Sequence, residues 1–290
     1  MTIHRDDVLE TPHAIVSAGV DWLTCTQKRE RDDKHLWSVG ERLLNEDEDR
    51  GNEVLLWKRE GYEGWATSGV RIGKRQDTYC LSLSSDMARD HWREAYAEST
   101  NVSRLDLQTT VELIPSQPRI VRELHQQALS HRTKNGRPPE RTLIQNTTRG
   151  DTLNIGRRAS DVYMRAYDKG REQRTHEAGR LLRYEVELKR ERARHYARAL
   201  SLDDRDDPLS ISVVSGRFLA QGVRVPSSIE EGQWNCLFLA TTSTERKLAW
   251  VRRCVAPTVQ FLLARVDRDT LIQALGMSPD AKTPSQVEKE

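Results

Sequence analysis

A run of alternating tyrosines and cations marks residues 163–169. Tyr163, Arg165, Tyr167 and Lys169 are separated by Met164, Ala166 and Asp168, with Val162 just before them. A period of two puts the tyrosines and cations on one face of a strand and Val162, Met164 and Ala166 on the other. Two more segments have the same build. Upstream, Arg104, Asp106 and Gln108 share a face opposite Leu105 and Leu107; downstream, Arg183, Glu185, Glu187 and Lys189 share a face opposite Leu182, Tyr184, Val186 and Leu188. If the three strands lie in one sheet, carboxylates, tyrosines and cations converge on one surface. Such a set could hold a divalent metal and direct a tyrosine at a phosphodiester.

Phosphoryl transfer needs a nucleophile, charge neutralisation on the non-bridging oxygens and stabilisation of the leaving oxygen. A phenol with a pKa of about 10 is a weak nucleophile at neutral pH, and a neighbouring cation or metal favours its phenolate. Tyr167 has Arg165 and Lys169 beside it on the expected strand face, roughly 6–7 Å away. Asp106, Glu185 and Glu187 are hard oxygen ligands of the kind Mg²⁺ or Mn²⁺ takes. Gly156-Arg157-Arg158-Ala159-Ser160, a glycine turn with two arginines, precedes the tyrosine strand and could approach a phosphate closely. Arg104 and Arg183 add cations to the same faces and complete a candidate DNA-contacting set with Arg157, Arg158 and Ser160. Taken singly, each residue has an ordinary structural reading, since a polar strand face is usually just the solvated side of a half-buried sheet. Three such strands together favour a site.

These groups need a scaffold, and the rest of the chain supplies one. Ala14–Thr26 reads as a first strand and Asp33–Asp49 as a helix with a stripe of Leu36, Trp37, Val39, Leu43 and Leu44. Trp57–Ser84 reads as short strands joined by glycine turns, and Ser85–Glu98 as a helix that Ser84 or Ser85 could cap. Arg119–His131 is a further expected helix, followed by a basic loop through Asn135-Gly136-Arg137-Pro138-Pro139. Arg141–Ile155 reads as a hairpin turning at Arg149-Gly150-Asp151. The pattern becomes helical from Arg190. The acidic, proline-closed stretch Asp203–Pro208 is the expected boundary between a catalytic domain, 1–205, and a C-terminal region, 206–290. In that region Leu209–Ala220 fits strand or helix, and Glu245–Leu263 and Asp267–Leu275 fit helices. The fold class expected is α+β: a central, mostly antiparallel sheet with a polar catalytic face, flanking helices and a mainly helical C-terminal region.

The bulk properties suit this reading. The chain has 290 residues, 36% hydrophobic and 31% charged, which is polar for a globular protein but too apolar for general disorder. The net charge of +2 says little about partners. Its distribution says more: residues 157–198 hold 13 Lys+Arg against 7 Asp+Glu, a local basic excess beside carboxylates that suits a polyanion meeting a metal. The widely spaced Cys25, Cys80, Cys236 and Cys254 form no C-x-x-C, which argues against structural zinc and a disulfide framework. No signal peptide or membrane-spanning run is visible, so a cytoplasmic setting is expected.

Several segments together resemble the Rep_trans-type initiators of rolling-circle replication, found in small bacterial plasmids, filamentous phages and some integrative elements. Gly19-Val20-Asp21-Trp22-Leu23-Thr24-Cys25-Thr26 is similar to an early G-[VI]-D-W-L-x-x-T strand of that family, and Arg104-Leu105-Asp106-Leu107 to its R-[IL]-D-[IL] strand. Thr152–Glu172 matches a long T-x-x-x-G-[SR]-R-x-S-x-x-x-x-R-x-Y-x-K-x-x-E block, the most specific of the matches. Arg183-Tyr184-Glu185-Val186-Glu187-Leu188-Lys189 matches an R-x-E-x-x-[KR] strand. Leu248–Arg253 with Val255–Val259 is similar to a tryptophan-arginine-proline segment of the phage members.

The resemblance implies an origin-specific DNA nickase of a bacterial host. A tyrosine attacks one strand, becomes linked to the 5′ phosphate and frees a 3′-OH that primes synthesis. Tyr167 matches the family's nucleophile, with Tyr163 in reserve. Asp106 and Glu185 match metal ligands, Glu187 is a helper, and Lys169 and Arg165 contact phosphate. Origin DNA is the implied partner, with a homodimer and a host helicase as further partners to consider. Origin recognition is expected from residues after Asp207, including Trp250, Arg252 and Arg253, and from loops such as Lys134–Glu140; Trp250 as core and the arginines as solvated is the competing reading. Three departures bear on the metal shell: Thr110 stands where many members have a second acidic residue, Arg157 replaces a serine, and Ala166 replaces an isoleucine. The alternatives are a relaxase of an integrative or conjugative element and a catalytically inactive DNA-binding regulator. A tyrosine recombinase is disfavoured because no suitable H-x-x-R accompanies the tyrosines.

Overall fold

The computed structural model describes residues 14–28, 35–114, 116–132, 140–202 and 206–225. Ten strands form one antiparallel sheet: β1 (Ala14–Lys28), β2 (Leu55–Arg59), β3 (Tyr62–Ala66), β4 (Val70–Arg75), β5 (Thr78–Ser84), β6 (Asn101–Glu112), β7 (Arg141–Ile144), β8 (Thr152–Ile155), β9 (Val162–Asp168) and β10 (Leu181–Lys189). Their order is β2-β3-β4-β5-β1-β6-β10-β9-β8-β7. Among the described residues six helices accompany them: α1 (His35–Asp49), α2 (Ser85–Ala97), α3 (Ile120–Ser130), α4 (Lys169–Glu172), α5 (Arg190–Ser201) and α6 (Asp206–Leu219). The α+β class expected from the sequence is the one observed.

The alternation read from the sequence decides how the layers form. Leu23 and Cys25 of β1, Leu105 and Leu107 of β6, Met164 and Ala166 of β9, and Tyr184, Val186 and Leu188 of β10 are all buried on one face. Helix residues that join them in a single core include Leu36 and Leu43 of α1, Trp92 of α2, Leu124 of α3, and Tyr196 and Ala197 of α5. Burial of a large aliphatic or aromatic side chain contributes about 1.5–3 kcal/mol each, so this shared layer is the main source of cohesion. The helices cover the apolar face, and the opposite face of the strands is left to the ionisable residues.

Leu209–Ala220, which fitted strand or helix, is helical through Leu219. Phe218 of α6 meets Tyr184 edge-on at 5.0 Å between ring centroids, so this helix packs onto the sheet's core. The expected cap of α2 takes another form. Ser84 stands at the N-cap in extended backbone, but its hydroxyl donates to the Ser68 carbonyl at 3.1 Å and caps no helix N–H. The basic loop after α3 and the helices expected within 245–275, with Trp250, Arg252 and Arg253, lie outside the described residues, as do Cys236 and Cys254. Cys25 and Cys80 are free and buried. Among the described residues no helix is long and apolar enough to cross a membrane.

Candidate active site

Register places the ionisable residues. On β6 and β10, Asp106 sits opposite Glu187, Gln108 opposite Glu185 and Thr110 opposite Arg183. On β10 and β9, Glu187 sits opposite Tyr163, Glu185 opposite Arg165 and Arg183 opposite Tyr167. On the far side of β6, Trp22 of β1 lies opposite Asp106 and Thr24 opposite Arg104. Side chains directly opposite in an antiparallel pair are close enough to interact, so three strands far apart in sequence build one surface. Register thus brings Arg104, Asp106, Tyr163, Arg165, Tyr167, Arg183, Glu185 and Glu187 onto one face.

The contacts divide these residues into two groups. Arg104 grips Asp106 with two nitrogens, Nε at 2.9 Å and Nη2 at 2.5 Å, and Nη2 also lies 3.1 Å from Glu187 Oε2. Lys189 Nζ lies 2.6 Å from Glu187 Oε1. The Oε2 atom of Glu187 is buried and accepts no hydrogen bond of good geometry, which leaves an oxygen at the site with coordination to spare. The second group centres on Glu185. Its Oε1 accepts the Tyr167 hydroxyl proton and its Oε2 pairs with Arg165. Arg183 donates to Thr110 Oγ1 at 2.8 Å, reaches Asp21 at 3.3 Å and lies 4.0 Å from Glu185 Oε1. Thr110 thus orients an arginine here.

Burial and crowding tune the groups. Asp106 is almost wholly buried, and its carboxyl is pushed up to about 7, chiefly by desolvation. The Arg104 guanidinium opposes that shift, and the Glu187 and Glu185 charges add to it. Tyr167 is raised well above an ordinary phenol by burial and by the negative charge and hydrogen bond of Glu185, against the pull of Arg183. Tyr163 is raised too, mainly by burial, with Arg165 and Arg158 opposing. Neither tyrosine is a standing phenolate.

The two tyrosines differ in access. Tyr167 lines an open cleft of about 570 Å³ together with Asp106, Glu185, Arg165, Arg183 and Lys169. Tyr163 is not among the residues lining it; it faces Glu187 under the Arg158 guanidinium, 5.9 Å from its ring centroid. Lys169 requires a correction. It does not continue the strand face, because β9 ends at Asp168, whose carboxylate caps α4 by accepting the Arg171 N–H at 2.9 Å. Lys169 begins that helix, pairs with Glu172 at 2.7 Å and still lies 5.8 Å from the Tyr167 ring centroid.

The arginine turn is tied to the sheet's end. Gly156 has a φ of +86°, a conformation glycine adopts at little cost, and it turns the chain out of β8. Lys189 Nζ donates to the Arg158 carbonyl, and Arg190 pairs with Asp161 at 2.7 Å. Arg158 lines the cleft. Arg157 points to solvent and pairs with Glu140 at 2.5 Å, and Ser160 is half-buried with its N–H donating to the Arg157 carbonyl at 2.8 Å.

The three carboxylates do not converge as one ligand set. Among the described residues no three His, Cys, Asp or Glu side chains group closely enough to hold a metal by themselves. Asp106 and Glu187 do face one another across β6 and β10, and Mg²⁺ commonly takes only one or two carboxylates, with water and substrate phosphate completing its shell. These two carboxylates are hard oxygen donors that now share the Arg104 guanidinium, so a hard cation held between them would take over part of that guanidinium's role.

The Rep_trans family model, described as a replication initiation factor, matches residues 86–232. A solved structure of a rolling circle replication initiator protein from Geobacillus stearothermophilus is 24% identical, covering 71% of this chain and 85% of its own, at a TM-score of 0.49. No curated protein matches the chain.

Proposed function

Because the chain belongs to the Rep_trans family of replication initiation factors, we propose that it starts rolling-circle replication by nicking and rejoining one DNA strand at an origin through a 5′-phosphotyrosine intermediate. The observation that carries this reading is the hydrogen bond from the Tyr167 hydroxyl to Glu185, made inside an open cleft lined by cations.

Tyr167 is the nucleophile. Its phenol is neutral at rest, so its proton must leave as it attacks, and Glu185 already holds that proton's hydrogen bond. Arg165 fixes the other Glu185 oxygen and orients the carboxylate as proton acceptor. Arg183 favours negative charge on the phenol oxygen. The bond formed joins Tyr167 Oη to phosphorus, and the bond broken releases the 3′ oxygen, which takes a proton from solvent in the open cleft and leaves as a hydroxyl. Asp106 and Glu187 would hold Mg²⁺ or Mn²⁺, which supplies charge neutralisation at the phosphate oxygens. Lys169, Arg158 and Arg104 border the cleft and are placed to contact phosphates. Rejoining reverses the transfer when a 3′-OH attacks the phosphotyrosine.

Covalent capture tests this directly. The protein is incubated with Mg²⁺ or Mn²⁺ and supercoiled DNA of its own replicon, and denaturant-resistant protein–DNA adducts are sought in wild type, Tyr167→Phe and Tyr163→Phe. Adduct lost only in Tyr167→Phe is expected. Loss only in Tyr163→Phe keeps the reaction and moves the nucleophile. Tight DNA binding with neither nick nor adduct would leave a non-catalytic regulator as the reading.

A further inference from the structure

A second cleft, of about 380 Å³, lies on the same sheet face over β1–β6 and is lined by Trp22, Trp57, Tyr62, Arg71 and Arg104 among others. Its volume is in the range of pockets that take a small ligand, roughly 300–1,000 Å³. Trp22, Arg71 and Arg104 also line the reaction cleft, so the two share a wall. Register explains the pattern. Arg71, Ser82, Thr24, Arg104 and Lys189 form one row across five strands, and Trp57, Gly64, Gly73 and Cys80 form the next.

Two observations say this cleft is built for something. The first is the floor beneath Trp57. A Cβ at Gly73 would fall 2.6 Å from the Trp57 ring, so only glycine lets the indole lie down on β4. Glycine inside a strand costs stability and commonly marks such a close approach. Trp57 stacks on Tyr62 at 6.4 Å and 17°, and Arg75 covers the Tyr62 ring at 4.8 Å. The second is Arg71. Its Nη1 is buried and has no hydrogen-bond partner. Its guanidinium sits over Trp22 at 4.9 Å, while Arg104 lies 4.5 Å from the same ring centroid. The charged neighbours that perturb it are Arg59 and Arg104, both cations. The cleft's carboxylate, Glu60, is 3.5 Å from Arg59. The β3–β4 turn that leads into Arg71 is anchored by the buried Asp47, which accepts from Thr67 Oγ1 at 2.5 Å and from the Gly69 N–H at 3.0 Å. A desolvated donor without an acceptor is costly, and a phosphate would satisfy it.

We propose that this aromatic cleft is a second DNA subsite that takes one unpaired nucleotide of the strand lying in the reaction cleft, its phosphate on Arg71 and its base against Trp57. The inference rests on the DNA-nicking reading for the identity of the ligand. A duplex offers only base edges in its grooves, whereas a recessed indole is reached by a base that has left its stack. From β9 to β4 is five strand spacings, roughly 24 Å, so the nucleotide held here is several positions from the scissile phosphate. The cleft thereby selects melted DNA, and its preference for unpaired strand is independent of the reaction at Tyr167.

The test is equilibrium binding in a Tyr167→Phe background, which removes cleavage from the readout. A fluorescent oligothymidylate and a duplex of equal length are titrated by anisotropy against Arg71→Ala, Trp57→Ala, Trp57→Phe and, as a control on a helix of the covered face, Arg194→Ala. Arg71→Ala and Trp57→Ala are each expected to weaken single-strand binding about tenfold and to leave duplex binding unchanged. Trp57→Phe keeps a stacking face and should retain most of the affinity, which separates stacking from misfolding. Unchanged single-strand affinity in Arg71→Ala and Trp57→Ala would overturn the subsite and leave the nicking reading intact. Equal losses on duplex and single strand would reduce the cleft to a general basic patch and also overturn it. Failure of the unaltered Tyr167→Phe protein to bind either DNA would overturn the subsite together with the reading it rests on.

Discussion

Over β6, β9 and β10, Arg104, Arg165, Arg183 and Lys189 on the open sheet face each have a carboxylate neighbour. Over β4, Arg71 on the same face has a tryptophan ring and an orphaned nitrogen instead. The difference lies in what each half needs from outside. Buried carboxylates are tolerated when cations pair with them, and in the half bearing Tyr167 arginines and a lysine supply those partners internally. The half bearing Trp57 has cation in excess and gains from an anion. On the proposed reading one face presents a reacting end and a holding end, and a DNA strand crossing both would meet a different kind of chemistry at each.

The largest expected effects fall at the reacting end. Tyr167→Phe should abolish the covalent adduct, and Glu185→Gln, which keeps the shape and loses the proton acceptor, should slow nicking by about 10²–10⁴-fold in single-turnover assays. Single-strand binding by either variant should stay near wild type. A matched loss of binding would erase the division between the two ends.

Both ends rest on the same apolar layer, and disturbing that layer should not distinguish them. Phe218→Ala removes a ring that packs edge-on against buried Tyr184 and is expected to cost about 3–5 kcal/mol in denaturant unfolding. Nicking and single-strand binding should then fall together as the temperature approaches the lowered midpoint.

The reacting end should also respond to pH in a way the holding end does not. Asp106 is raised from 3.8 to about 7 in the folded protein, so the fold prefers its neutral form. Its contribution to stability is fully present below about 4 and is lost as the pH rises through about 7. Metal-free protein should therefore melt several degrees lower at pH 8 than at pH 5 on account of this group, and Asp106→Asn should flatten that share of the profile. Mn²⁺ added at pH 8 should raise the wild-type midpoint and leave the Asp106→Asn midpoint nearly unmoved.

The smallest expected effect sharpens the holding end alone. Gly73→Ala places a methyl against the Trp57 ring and should shift the protein's tryptophan emission. It should weaken oligothymidylate binding by less than Trp57→Ala does, with nicking at saturating DNA unchanged.

Much of the reacting end is legible before any fold is known, because period two survives wherever one strand face is apolar and the other carries polar groups. The burial of Met164, Ala166, Tyr184, Val186 and Leu188 follows directly from that alternation. Lys169 departs from the alternation for a local reason: the strand ends at Asp168, whose side chain caps a helix. The holding end carries no such signature, since Trp22, Trp57, Tyr62, Arg71 and Arg104 come from five strands with no shared motif. A usable signal was present in Gly64 and Gly73, glycines inside strands near tryptophan and tyrosine, a pattern that points to a ring lying flat on backbone.

Residue type and alternation, which the chain carries in itself, determined that strands here have one apolar and one ionisable face, and that tyrosine, carboxylate and arginine share the latter. Which of them meet was decided only by the order of strands. With β10 between β6 and β9, Glu187 faces Asp106 and Glu185 reaches Tyr167; with β1 between β5 and β6, Trp22 joins the two clefts. Alternation arises from the geometry of a single strand, whereas strand order and register arise from hydrogen bonds between distant segments, which no local pattern encodes.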